Sequence, residues 1–387
     1  MNNTIKLAVA SALLAAASSA NAGIMIPAGD WTLDIGGVVN AYYTSTKASG
    51  TATGLAGAND TATSRDANIT TGLLPNYLSV SGKTRQNDLD VGFTISINPG
   101  ASTTQSGIQS AQQENRQAFL TFGDASWGSI KLGKDLGIYA SDAILNDMTL
   151  LGVGSAAGML AGNTTTLGRI GSGFMYADWK SQVAYSSPNW NGFSFTAGLT
   201  QGWNGTGNTQ RAGSKTAYEG KASYAWGGDF AGKVWASGLS QKVQTLGHTA
   251  TAWDIGANVN AMGFGATAYY GQGKGTGTIV QFNGGNDGLN KRDSDDWYVQ
   301  GTYTLPGVGT KLGVSYGEST LDGNAGELAL VKDTNKMITF GAYHPLTKHL
   351  NLVAEYSEVK GKHDDVAALL DTSGKTKTVA LGAILFF

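Results

Sequence analysis

The sequence predicts an all-β fold, an antiparallel up-and-down β-barrel of sixteen strands that crosses a membrane. Three observations predict it. Apolar residues recur at period two along most of the chain, the spacing of a strand with one apolar face. The connections between these runs alternate strictly between short turns and long polar excursions, as they do when one rim of a meander faces each side of a membrane. No run approaches the 18 or so apolar residues of a transmembrane helix, so any crossing falls to strands.

Composition narrows the field in the same direction. Of 387 residues, 14% are charged, 56 are Gly and only 6 are Pro, about half the charge and twice the glycine of an average soluble domain. Hydrophobic residues reach only 41%, so a large apolar core does not account for the low charge. The 9% of aromatics is too rich for a disordered coil. A net charge of −2 and a pI of about 6.1 provide no basic field for nucleic acid. The chain has no Cys, which excludes disulfides, thiol nucleophiles and thiolate metal sites.

Taken in chain order, residues 1–22 read as a cleaved secretory signal peptide. Lys6 precedes the apolar run Leu7 to Ala17, and Ala20-Asn21-Ala22 is a small-x-small cleavage pattern. The run is too short to anchor the chain across about 30 Å of hydrocarbon. The remaining residues, 23–387, form one barrel domain. Strands are expected near 30–46, 70–83, 88–98, 113–123, 128–135, 178–187, 192–202, 215–227, 230–242, 250–261, 264–273, 295–305, 310–320, 334–344, 349–359 and 375–387. The third illustrates the pattern: Leu89, Val91, Phe93, Ile95 and Ile97 share one face, while Asp90, Gly92, Thr94, Ser96 and Asn98 share the other. The second face is small and polar throughout, with scattered charges at Asp90, Lys131, Lys180, Glu219, Lys221, Lys311 and Glu355.

Long connections fall near 47–69, 99–112, 136–177, 203–214, 243–249, 274–294, 321–333 and 360–374. Each strand reaches the 9–11 residues that a tilted crossing requires, and closing the ring removes the unpaired edges that lipid cannot satisfy. Trp31, Trp127, Trp190, Trp226, Phe230, Phe264, Trp297 and Tyr343 lie near strand ends, the positions of an interfacial girdle. They are read as girdle residues because a lumen of this size is expected to hold no apolar core. The outward faces of strands one to five, with Gln117, Phe119 and Thr121 assigned outward, read as less lipid-like than the later strands, which suits a subunit interface.

Three stretches resemble the Gram-negative general porin family, the sixteen-stranded trimeric diffusion channels of the outer membrane. Asn115-Arg116-Gln117-Ala118-Phe119-Leu120 and Gly123-Asp124-Ala125-Ser126-Trp127-Gly128-Ser129-Ile130-Lys131-Leu132-Gly133-Lys134-Asp135 look like the family's arginine-bearing fourth strand, tight turn and fifth strand. Segment 136–177 follows at once, in the place of the third loop, which in the family folds into the lumen. The chain closes on Val379-Ala380-Leu381-Gly382-Ala383-Ile384-Leu385-Phe386-Phe387, similar to the signal read by the barrel-assembly machinery, with Phe387 as its terminal residue. The resemblance implies a homotrimer among outer-membrane lipid and lipopolysaccharide, passing small hydrophilic solutes and ions, with no cofactor and no nucleic acid. The family's Pro-Glu-Phe-Gly-Gly-like element is absent from 141–154, and Tyr77 and Ser81 stand where the second strand often carries basic residues. A substrate-selective channel for a sugar or a small organic or aromatic acid therefore stands as the alternative to a general pore.

An inward third loop makes 136–177 a constriction loop, with Asp142 and Asp147 as its carboxylates and Asp135 at its entrance. Facing them are the wall cations Arg116, Lys131 and Lys180, with Tyr77, Ser81 and Asp90 as further polar lumen positions. Acidic loop against basic wall sets a transverse field across the opening, and Ala143 to Leu151 is apolar enough to pack the loop against the wall. Catalysis is not expected: His248, His344, His349 and His363 fall in loops or strand ends with no nucleophile motif beside them. No metal site is expected either. Asp287, Asp293, Asp295 and Asp296 crowd the loop 274–294, but their spacing is not that of a Ca²⁺ loop.

Overall fold

The computed structural model describes residues 23–50, 64–101, 113–155, 165–202, 215–243, 247–278, 285–286, 290–324, 331–365 and 370–387. The signal-peptide reading of residues 1–22 lies outside them. Sixteen strands pair antiparallel in sequence order and close into a ring. They are β1 (Trp31–Gly50), β2 (Ser64–Thr70 and Tyr77–Gln86), β3 (Leu89–Pro99) and β4 (Gln113–Glu114 and Ala118–Asp124). Next come β5 (Gly128–Leu136), β6 (Trp179–Ser186), β7 (Phe193–Gln201), β8 (Thr216–Trp226), β9 (Phe230–Val243) and β10 (His248–Ala261). The ring is completed by β11 (Phe264–Lys274), β12 (Asp293–Thr304), β13 (Lys311–Asp322), β14 (Val331–Pro345), β15 (Leu350–Asp365) and β16 (Leu370–Phe386).

The period-two alternation sorts side chains as expected. Ile95, Ile97, Val183, Leu199, Trp253, Ile255, Val299, Phe340 and Leu381 are exposed on the outer wall, whereas the alternate residues Ser96, Asn98, Lys180, Glu219, Asp254, Tyr298 and Glu355 are buried inside. The short turns follow the strand twist: Asn87 and Asp88 both take positive φ, the geometry of a tight hairpin that two short polar residues adopt at low cost. Trp127, Trp190, Phe230 and Phe264 are exposed at the turn rim, and Trp297 packs on Tyr316 at 5.5 Å nearer the long connections, so aromatic rings flank the apolar band at both ends.

The structure departs from the sequence reading in several places. Ile24–Ala28 forms an additional short strand that pairs with Trp31–Ile35, extending the line of β16 past its end at Phe386. β2 is interrupted at 71–76, where Pro75 has no N–H to donate to a ladder. The Asn40 side chain bridges the break, accepting from Gly72 N at 2.8 Å and donating to Leu74 O at 2.9 Å. Tyr343 is not a girdle residue: it is 2% exposed and turned inward. Gln117 and Phe119 also face inward. The ladder of β4 lapses at 115–117, which resets the alternation and brings Gln117 within 3.0 Å of Asp135; Thr121 shares that parity. Most consequentially, the lumen does hold an apolar cluster. Ile144, Met148, Leu150, Val153 and Phe174 from segment 136–177 pack there with Tyr42, Tyr298, Tyr343, Val353 and Ile384 of the wall.

The β16–β1 ladder that closes the ring runs from Gly374 to Phe386 and continues into Phe387. Phe387 exchanges two backbone hydrogen bonds with Gly37, at 2.7 and 3.0 Å. A Cβ on Gly37 would lie 2.3 Å from Tyr77 O and 2.7 Å from the Phe387 ring, so only glycine fits this seam. Gly37→Val is expected to cost about 1–3 kcal/mol by overpacking and to lower the fraction of protein that migrates as folded barrel before heating in gel electrophoresis. A folded fraction equal to that of the unsubstituted protein contradicts the seam's role.

Candidate functional site

Segment 136–177 leaves β5 and is closed at its base by the Gly137 N to Asp178 O bond, 2.7 Å. Its described residues contain a short helix, α1 (Ser141–Leu145), and a 3₁₀ turn, Met148–Leu151, which Asp147 caps by accepting from Thr149 N at 3.2 Å. Its contacts are with inner-face residues of strands on several sides of the ring. Ala140 N donates to Ser237 of β9 at 3.1 Å, Met148 N to Gln300 of β12 at 2.9 Å and Gly173 N to Ser319 of β13 at 2.9 Å. Tyr42 of β1 and Tyr298 of β12 donate their hydroxyls to Leu151 O and Ala143 O, at 2.7 and 2.8 Å.

Two wall carboxylates hold the start and the middle of the segment. Glu219 of β8 accepts consecutive backbone N–H groups, Ile138 at 2.8 Å and Tyr139 at 2.9 Å. Its other oxygen takes Lys180 at 2.5 Å and the Thr200 hydroxyl at 2.7 Å. On β15, Glu355 accepts Val153 N at 2.7 Å and Gly154 N at 2.8 Å, while the Tyr343 hydroxyl donates to its second oxygen at 2.6 Å. Gly152 makes this reach possible, since a Cβ there would lie 2.1 Å from a Glu355 oxygen. A charged carboxylate taken out of water requires this degree of satisfaction.

Most of the residues expected at the pore face inward, but they meet partners other than those expected. Asp142 lies on α1 against β8 and β9, where it pairs with Lys233 and, at 3.3 Å, with Lys221. Burial opposes ionisation of Asp142, yet the two lysines hold its carboxyl below the ordinary carboxylate value. Asp147 faces Arg169 of the same segment at 3.8 Å, both side chains wholly buried, and burial pushes the Asp147 carboxyl up despite that partner. Arg169 Nη1 also donates to Met337 O at 3.1 Å.

Among the wall cations, Arg116 pairs with Glu114 at 3.0 Å and lies over the Trp179 ring. Lys131 pairs with Asp135 and covers Phe119. Lys180 is held by Glu219, so none of the three has its ion pair with Asp142 or Asp147. Tyr77 packs against the lumen cluster, Ser81 shares a 2.9 Å hydrogen bond with Thr94, and Asp90 is tied to Arg85 at 2.9 Å near the turn rim. Of the acids around 274–294, Asp295 accepts from Tyr270 and Gln272 on the outer face, while Asp296 turns inward to Ser319; the pleat disperses them, and Asp287 lies outside the described residues. Glu219, Lys221 and Glu355 carry the right face parity in the sequence, but nothing there marks them as anchors, and Lys233 and Arg169 gave no signal. Lateral position inside the ring decides these pairings, and side-chain periodicity carries no information about it.

Comparison with known proteins follows the same lines. A family model described as Gram-negative porin matches residues 8–364. No curated protein sequence matches. Among solved structures, the anion-selective porin from Comamonas acidovorans is similar at 15% identity and a TM-score of 0.62, covering 92% of this chain and 100% of that one. The outer membrane channel DcaP of Acinetobacter baumannii has 16% identity and a TM-score of 0.61, with 93% and 99% coverage. The trimer form of OmpT, an outer membrane protein of Vibrio cholerae, has 14% identity and a TM-score of 0.55, with 92% and 99% coverage.

The two anchors generate a prediction. Glu355→Ala leaves two backbone N–H groups and a tyrosine hydroxyl without their acceptor, at about 1–3 kcal/mol each, and Glu219→Ala removes the acceptor of two backbone N–H groups, Lys180 and the Thr200 hydroxyl at the start of the segment. Single-channel recordings of either variant are expected to show higher and noisier conductance than the unsubstituted protein. Unchanged, quiet conductance in both contradicts the anchoring.

Proposed function

We propose how a member of the Gram-negative porin family, to which this chain belongs, narrows and charges its pore: segment 136–177 is the constriction, and lysines beside it give the water path a preference for anions. As a porin, the protein forms an outer-membrane channel for passive diffusion of small hydrophilic solutes and ions; the family and neighbours do not favour the substrate-selective alternative. Family and fold also suggest a channel without catalytic activity. Lys6, the apolar run Leu7 to Ala17 and Ala20-Asn21-Ala22 support a signal peptide at 1–22, and the trimer form of a neighbour supports a homotrimer.

One observation carries the preference. In two of the clusters where acid meets base next to the segment, the carboxylates are sealed and the ammonium groups stay wet, whereas the Arg116–Glu114 pair is reversed, at 5% and 32% exposed, and Lys180 with Glu219 is wholly buried. Asp135 and Asp142 have side chains 4% exposed, whereas their partners Lys131, Lys221 and Lys233 are 20%, 25% and 31% exposed. At these two clusters an ion passing through water therefore meets three cations before it meets Asp135 or Asp142. In a low-dielectric wall, such a one-sided presentation raises the local concentration of ions of opposite sign. The Comamonas neighbour is itself described as anion-selective. Asp142 tempers the lysines, so its carboxylate acts as the balancing weight in a transverse field and not as a ligand for cations.

Reversal potentials in a KCl gradient test this reading. The unsubstituted channel is expected to favour chloride. Lys221→Gln with Lys233→Gln should reduce the chloride-to-potassium permeability ratio by about threefold or more, and Asp142→Asn should raise it. Cation preference in the unsubstituted channel, or the same ratio in all three proteins, refutes the assignment.

A further inference from the structure

Two irregularities of the wall, the break in β2 at 71–76 and the lapse in β4 at 115–117, meet at one cavity behind segment 136–177. Its volume is about 20 Å³, room for one group of water or halide size. Leu73 and Pro75 of the break, Leu136 at the end of β5, and Ile144, Leu150 and Ile170 of the segment give it apolar walls. Arg116 reaches it from the lapse. Apart from Leu136, these residues are all buried, which separates the cavity from the water path.

One nitrogen of the Arg116 guanidinium lacks a partner there. Nε donates to Glu114 at 3.0 Å and the group lies over the Trp179 ring, yet Nη2 is buried and has no hydrogen-bond partner among the described residues. With Arg116 5% and Glu114 32% exposed, solvent screens the acid far more than the base. No carboxylate is among the described residues that line the cavity, so its field is that of a cation. Leaving a charged donor unpaired in such a place is costly.

A lone water would accept from Nη2 but turn its own protons largely toward leucine, isoleucine and proline, whereas a buried water needs about two to four polar partners. An anion brings no protons and accepts charge-assisted hydrogen bonds, the stronger kind. The Tyr176 hydroxyl and the Trp179 indole, also in the lining, are groups that donate. Sulfate, phosphate and carboxylate-bearing solutes exceed the volume. We propose that the cavity binds a single monovalent anion of halide size, such as chloride, on Arg116 Nη2, and that this anion fastens segment 136–177 to the wall where β2 and β4 are irregular. Because the site is walled off from the water path, the inference is independent of how the pore selects ions.

Crystals of the purified, detergent-extracted protein grown with bromide in place of chloride test this first, because bromide is identified by its anomalous scattering. One bromide is expected within hydrogen-bonding reach of Arg116 Nη2. Bromide confined to exposed lysines, an adventitious ion only, or a scatterer no heavier than water beside Nη2 overturns the proposal. Heat-modifiable migration supplies the second measurement. Exchanging sodium gluconate for sodium chloride at equal ionic strength should raise the unfolding midpoint by about 2 °C or more. Arg116→Gln should abolish that rise, and Lys348→Gln, on the exposed turn rim, should keep it. Equal midpoints in the two salts, or the same rise in Arg116→Gln, contradicts the site. The bromide experiment uses no substitution, so it decides the matter even if Arg116→Gln folds poorly.

Discussion

Two carboxylates on far-separated strands, each accepting two consecutive backbone N–H groups, hold this structure's interior in place. Glu219 and Glu355 come from β8 and β15, and the groups they bind, Ile138 with Tyr139 and Val153 with Gly154, lie near opposite ends of the first half of one segment. A polypeptide lying inside a barrel has no ladder to satisfy its backbone, and unpaired polar groups away from water are costly. The wall therefore lends side chains to the task. Tyrosine hydroxyls, Gln300, Ser237, Ser319 and Asn335 supply further partners, and the small polar inner face makes them available without a second sheet.

Saturating the carboxylates also explains why buried charge is tolerated here. Glu219 receives four donors, among them the wholly buried Lys180, so its carboxylate has a fixed geometry. Fully satisfied networks of this kind rigidify a structure, whereas partly satisfied ones destabilise it. The Asp147–Arg169 pair stiffens the segment internally, and the apolar residues between the anchors press against wall tyrosines. Charge near the segment is thus divided between buried pairs that fix the architecture and exposed lysines that meet the solvent. The scarcity of charge in the sequence follows from an outer wall whose middle band must stay apolar.

Much of this was legible before any coordinates. Strict alternation placed Glu219, Lys221 and Glu355 on the inner face, because a pleat leaves no choice of side once the apolar face is known. The alternation of short and long connections fixed the meander, and Phe387 marked the closing strand. Legibility failed where the backbone departs from regularity. The lapse at 115–117 inverted the assignment of Gln117 and Phe119, and the break around Pro75 hid the inward turn of Leu73 and Leu74. Tyr343 sits near a strand end, as girdle residues do, but its parity sends it inward to Glu355. Which acid meets which base depended on the path of segment 136–177 across the ring, a property of three-dimensional packing among distant residues. Hence the sequence places Asp142 in the segment, while nothing in it pairs that carboxylate with Lys233.

Cross-linking across the ring tests the central claim, that the segment is pinned against the inner wall, most directly. The chain has no native cysteine, so Met148→Cys and Gln300→Cys introduce a unique pair where Met148 N and the Gln300 side chain now lie 2.9 Å apart. In membranes, a short bifunctional thiol reagent should join the two in high yield and leave single-channel conductance near that of the unlinked double variant. Failure to join them, or a cross-link that forms only on denaturation, contradicts a segment held across the lumen.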